Sequence, residues 1–255
     1  MTFTFQRDDE LDAIAAEHGR EIAAIVMEPV RFDLPRPGFL EKVRAVADRI
    51  GAVLIFDEIT SGWRHHFGGA HLFLGVCPDI AVCAKSMSNG YPMGAVFGRR
   101  EVMQAAQTSF ISSTYWTEAI GPTAAMATIR KMKAVDLPAH VRRVGEQIQE
   151  GWRRLGARHG LRVTVQGLPA LTHFTIDCGE KFQAVRTLLT QCMLDRGYLA
   201  TNTCYPTLAL TASVVEGYLA ALDEAFAIVR QALEADDVER RLRGPVAHSG
   251  FRRLT

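Results

Sequence analysis

Three short runs constrain this chain most: EIAAIVMEP (21–29), AVLIFDEI (52–59) and DIAVCAKS (79–86). Each is apolar almost throughout and of strand length, and each ends in charge, at Glu28, Asp57-Glu58 and Lys85 respectively. A strand with no polar face has to be covered on both sides, which is the pattern of parallel strands joined by crossover helices. Between the first two runs lies PGFLEKVRAVADRIG (37–51), an amphipathic helix with Pro37 near its start and Gly51 placed as a C-cap. DDELDAIAAEHG (8–19) reads as a short helix with an acidic first turn, and GAVFGRR (94–100) as a short fourth strand. The expected class is α/β with a mostly parallel sheet.

From WTEAIGPTAAMATIRKM (116–132) to about residue 160 the pattern is helical, and then the period changes. LRVTVQGLPALTHFTIDC (161–178) alternates like an antiparallel hairpin with Gly167-Leu168-Pro169 at its turn. KFQAVRTLLTQCMLDRG (181–197) reads as a helix, YLATNT (198–203) as a short strand, and SVVEGYLAALDEAFAIVRQALEA (213–235) as a long amphipathic helix. These features predict a large domain over 1–150, a small α+β domain over 151–235 and a charged surface extension over 236–255.

In a parallel sheet the C-terminal strand ends share one edge, where open α/β folds bind ligands. Asp57 and Lys85 are expected side by side there. One explanation is a buried lysine–carboxylate ion pair without chemistry. The other is a lysine in a partly apolar pocket, which loses its proton and becomes a nucleophilic amine. Pyridoxal 5'-phosphate (PLP) requires such a lysine and a carboxylate against its pyridinium nitrogen. The glycine-rich SNGYPMGA (88–95) that follows Lys85 allows close backbone approach. A Schiff-base aldolase without cofactor would use the lysine but leave Asp57 and the NGYP turn unexplained.

IVMEPV, LIFDEITSGWR, AKSMSNGYPMGAVFGRRE and STYWTEAIGPTAA, in that order, resemble landmarks of the class III (subgroup II) PLP-dependent aminotransferases. The DEI…GWR form and the GPVAHSGFRRL ending are similar to the branch containing glutamate-1-semialdehyde 2,1-aminomutase. The resemblance implies part of the PLP-transferase fold type I large domain followed by a small C-terminal domain. It implies an amino-group transfer, as aminotransferase or aminomutase, between a small-molecule amino donor and a carbonyl acceptor. Lys85 matches the lysine that holds the cofactor as a Schiff base and shuttles the proton, and Asp57 matches the pyridinium partner. Ile59 falls where a branched aliphatic packs on the cofactor ring, and Glu58 is a structural or substrate-side acid. Thr60 stands near the phenolic oxygen. Thr114 matches the threonine donated to the phosphate of a neighbouring subunit's cofactor, which implies a homodimer with shared sites; outside the resemblance, Thr114 reads equally as a helix N-cap. The same relatives begin with a long N-terminal part that carries the phosphate loop. The expected alternatives are therefore a truncated or degenerate chain, inactive alone, an excerpt of a longer protein, or one subunit of a split enzyme completed by a separate N-terminal half.

Composition narrows the partners. The 255 residues are 48% hydrophobic and 22% charged with a formal net charge of +1, so neither nucleic acid nor a membrane surface is expected to bind. No apolar stretch reaches membrane-spanning length and MTFTFQRDDELDAI lacks the pattern of a signal peptide, so the expected address is the cytoplasm. Cys77, Cys83, Cys178, Cys192 and Cys204 show no CxxC pairing and read as small hydrophobes in a reduced protein. His65, His66 and His71 lack a third ligand at helical spacing and are expected to line a loop near the site, not a metal. No GxGxxG follows the first strand, which disfavours a nicotinamide enzyme.

Overall fold

Two helices in the first fifty residues supply the cover for the first sheet: α1 (Asp8–His18) and α2 (Phe39–Ile50). In the computed structural model, which describes residues 1–30 and 32–250, α2 buries Phe39, Leu40, Val43, Val46 and Ala47, a stripe at helical spacing. Full burial of each large side chain contributes about 1.5–3 kcal/mol. The helix stops at Gly51, whose φ of 72° is open to glycine and costly for other residues. Its N–H donates to the carbonyls of Ala47 and Asp48. Leu11 and Ala15 of α1 join the same core.

The strands are β1 (Ala24–Met27), β2 (Val53–Asp57), β3 (Ile80–Cys83) and β4 (Ala95–Gly98), in the order β1-β2-β3-β4. β1, β2 and β3 are parallel, and β4 joins antiparallel to β3. α2 makes the first crossover. The second is largely irregular: residues 58–79 contain only α3 (His71–Leu74). Two further elements, α4 (Arg100–Met103) and α5 (Ile120–Ala134), complete the unit Met1–Ala139. α5 begins later than its periodicity suggests because the Glu118 carboxylate accepts the N–H groups of Ile120 and Gly121.

The expectation of a sheet covered on both faces is corrected. Ile25, Leu54 and Phe56 are buried against α1 and α2. On the other face Val26 and Val96 remain 61% and 57% exposed. The strands are apolar on both sides, but both covering helices lie on one.

Asp79, just before β3, ties this unit together. Its buried carboxylate accepts from the Leu54 N–H (2.8 Å), Arg44 Nη1 (2.9 Å) and Arg99 Nη1 (3.0 Å). Burial alone would raise the carboxyl's pKa; the Leu54 bond and the two guanidinium groups outweigh it and hold it below the ordinary value.

The second unit runs from His140. α6 (Leu137–Arg158) places Val144, Ile148, Trp152 and Leu155 in its core, so residue 150, expected as a domain boundary, falls inside a helix. β5 (Val163–Gln166), β6 (Thr172–Ile176) and β7 (Thr203–Cys204) form an antiparallel sheet, with the expected hairpin between β5 and β6. The strand expected at 198–203 is shifted: Leu199 is 93% exposed and pairing begins only at Thr203. α7 (Phe182–Asp195) and α8 (Ala212–Glu234) close the core around Trp152, Phe174 and Phe226. The segment 236–250, expected as part of a charged surface extension, is tied down. Val238 is buried, Arg243 pairs with Asp195, and Gln183 donates to the carbonyls of Ala247 and His248. The last residues of the GPVAHSGFRRL ending lie outside the described residues.

Two measurements probe these features. Asp79→Asn leaves two guanidinium groups without their buried counter-charge and is expected to lower stability at pH 7 by about 3 kcal/mol in chemical denaturation. Because the folded carboxyl titrates below its unfolded value, its contribution is present above the unfolded pKa and is lost as pH falls through the folded one. The wild type should therefore lose stability on acidification below about pH 4, and the variant should show a flatter acid limb. Cys83 is fully buried, and burial first, then the charges of Glu58 and Asp57, push its thiol up to about 12. Iodoacetamide at pH 8 is expected to alkylate the exposed Cys77 and spare Cys83.

Candidate active site

Because β1, β2 and β3 are parallel, their charged ends lie along one edge. Asp57 ends β2 and is in register with Val82, three residues before Lys85. Lys85 opens a single 3₁₀ turn, Lys85–Met87, in place of a continued strand. Its φ of 47° lies in the left-handed region, uncommon for a residue with a side chain and characteristic of functional sites. Met87 and Cys83, packed against Ala125 and Ile129 of α5, fasten this turn from behind.

The lysine is exposed, so the expected burial is corrected: the turn lifts its side chain off the end of the strand. Nζ donates to Thr60 Oγ1 at 2.8 Å. Among the described residues Lys85 makes no ion pair with Asp57 or Glu58, which removes the reading of a buried structural lysine–carboxylate pair. Asp57 is half-buried and its Oδ1 accepts the Ile59 N–H at 3.0 Å, while Oδ2 makes no hydrogen bond among the described residues. Ile59 is half-buried and Thr60 almost fully buried.

Glu58 points to the opposite side of the strand from Asp57, as alternation requires. It is 0% exposed. Oε1 accepts from the His71 N–H (3.0 Å) and from His71 Nδ1–H (2.6 Å), and Oε2 accepts from the Ala70 N–H. Of the two roles expected for Glu58, the structural one fits. A substrate-side role is corrected, since both oxygens are taken and no surface is left. Gly69 is required beside it, because an added Cβ would lie 2.5 Å from Glu58 Oε2 and closer still to the His71 ring.

Thr114 is not brought to this contact. It stands in an exposed turn at 114–117 and makes no side-chain hydrogen bond among the described residues. The alternative of an N-cap fails, since Glu118 caps α5. His71, expected to line a loop near the site, does so as the partner of Glu58; Ser86 was missed, and its Oγ donates to the Gly62 carbonyl at 2.7 Å. Glu58 and His71 stand thirteen positions apart, and no local spacing signals that contact. His65 stacks on Phe73 with ring centroids 4.9 Å apart, and His66 contacts the Phe67 carbonyl.

The family model "Aminotransferase class-III" matches residues 5–225. The chain is 32% identical to the 2'-deamino-2'-hydroxyneamine transaminase of Streptomyces kanamyceticus over 214 residues, 81% of this chain and 53% of that protein. It is 46% identical to the glutamate-1-semialdehyde 2,1-aminomutase of Syntrophobacter fumaroxidans, but over 99 residues, 37% of this chain and 23% of that protein. The FumI protein of Sphingopyxis sp. MTA144, solved in its PLP internal aldimine form, superposes with a TM-score of 0.85 at 25% identity, covering 92% of this chain and 58% of that one. The chain thus spans about half the length of the curated relatives it matches. With its parallel strands, its lysine turn and this match over most of its length, the chain belongs to the class-III aminotransferase family.

Proposed function

We propose that this chain contributes the lysine and the carboxylate of a PLP-dependent amino-group transfer between a small-molecule donor and a carbonyl acceptor. The observation that carries the reading is Lys85: an exposed amine with no ion pair among the described residues, held by Thr60 at the strand edge that also bears Asp57. These residues fit PLP, because an accessible primary amine and a carboxylate with one open oxygen are the groups its aldehyde and ring nitrogen require. When bound, PLP supplies an electron sink for charge developing at the carbon that bears the amino group.

Lys85 Nζ would hold the cofactor and, when free of it, would take and return the proton at the donor's reacting carbon. Asp57 would supply the counter-charge for the cofactor's ring nitrogen, and its half-buried position would strengthen that pairing. Ile59 would pack against the cofactor and exclude water. Thr60 orients Nζ through its hydroxyl. Thr114, exposed in its turn, is available to the phosphate of a neighbouring subunit's cofactor in a homodimer with shared sites. The 46% identity to an aminomutase over 99 residues supports an aminomutase-like branch, in which the transfer occurs within one substrate molecule.

A second reading, a chain inactive alone and completed by a separate N-terminal half, is favoured by the uncovered sheet face. Val26 and Val96 are exposed there. β1 is an edge strand, beside a groove of about 600 Å³ lined by Phe3, Phe5, Ile25, Met27 and Phe32.

The full chain incubated with PLP is expected to develop the absorbance of lysine-bound cofactor, and borohydride followed by peptide mapping should place the label on Lys85. Equal labelling of the other lysines would overturn the assignment. Appearance of the label only after co-expression with an N-terminal half of a relative would favour the second reading. Asp57→Asn is expected to keep the fold and to lower amino transfer about a hundredfold or more. Wild-type turnover in that variant would remove Asp57 from its role.

A further inference from the structure

We propose that Glu58 is a positioning residue for Lys85: its buried carboxylate folds the 58–71 loop, and the loop holds the lysine through Thr60 and Gly62. The inference rests on the reading of Lys85 as the cofactor-bearing amine.

Glu58 is fixed to the sheet as firmly as any residue of the site. Its N–H donates to the Val82 carbonyl at 2.8 Å, extending the β2–β3 pairing past Asp57, and its carbonyl accepts the Gly62 N–H at 2.8 Å. Its carboxylate gathers the far end of the loop through the Ala70 N–H, the His71 N–H and the His71 ring. No solvent reaches that carboxylate, so each donor lost leaves a buried polar group unpaired. Further bonds close the loop on itself: the Trp63 N–H donates to the Gly68 carbonyl at 2.8 Å and Arg64 Nε to the Thr60 carbonyl at 2.8 Å.

The other side of this loop faces the lysine turn. Lys85 Nζ donates to Thr60 Oγ1, and Ser86 Oγ donates to the Gly62 carbonyl. Both side chains of the pair are therefore held by residues within four positions of Glu58. Lys85 itself is exposed and in a left-handed backbone conformation, so contacts and not burial define where its amine points. With the loop loosened, Nζ loses its acceptor and samples the rotamers of a free surface lysine.

The test uses the full chain without cofactor. Trace acetylation with acetic anhydride at pH 8, read by peptide mapping, gives the rate at Lys85 relative to the exposed Lys131 and Lys133 of α5. Glu58→Gln is expected to raise the Lys85 ratio about threefold to tenfold, the equivalent of one net hydrogen bond, and to speed amide exchange over residues 62–70. Thr60→Val should raise the ratio similarly while exchange over 62–70 stays at the wild-type rate. If Glu58→Gln does not fold, His71→Leu removes one donor from the same carboxylate and is read in the same way. Faster exchange over 62–70 with an unchanged Lys85 ratio would overturn the proposal and leave Glu58 a structural residue only. Since the readout needs no PLP, a wild-type chain that fails to fix PLP on Lys85 counts against the function and not against this coupling.

Discussion

Parallel pairing of β1, β2 and β3 is the constraint on which the rest of the first unit depends. It is what turns three separate strand ends into one edge, and it gives Asp57 and Lys85 neighbouring strands although 27 residues lie between them in sequence. Antiparallel placement of β3 would send its lysine to the opposite edge. The pairing is enforced from the far end, where the Asp79 carboxylate bridges the start of β3, the Leu54 amide of β2 and an arginine of α2.

Much of this was legible in the sequence because burial leaves a mark on composition. The apolar runs gave the strands, the stripe of Phe39, Leu40, Val43 and Val46 gave α2, and the alternation around Gly167 gave the hairpin. Charge at strand ends located Asp57 and Lys85. What escaped notice depends on contacts between residues distant in the chain. The Glu58–His71 pairing has no periodicity. The exposure of Lys85 follows from one backbone angle. The covered and open faces of the sheet bear the same residue types, so composition cannot distinguish them. The C-terminal segment reads as loose because its charges look solvated; Arg243 in fact pairs with Asp195 across a folded surface.

Match length and the sheet describe one situation from two directions. The chain spans 53% of its transaminase relative and 58% of the solved FumI chain, and the unit it forms has an apolar face and an apolar edge groove without cover. Long apolar edges are managed in natural proteins by pairing, charge or cover. Here β1 and β4 are each paired on one side, and Val26 and Val96 stay exposed on the face that no helix covers.

The left-handed backbone at Lys85 has a consequence for how this position can vary. A residue with a Cβ pays about 1–2 kcal/mol to stand there, a cost that glycine does not share. Replacement by glycine would therefore make the fold locally more comfortable while deleting its amine. Stability alone would select against lysine at 85, so drift toward glycine or asparagine is the route by which a copy of this chain released from chemistry would be recognised.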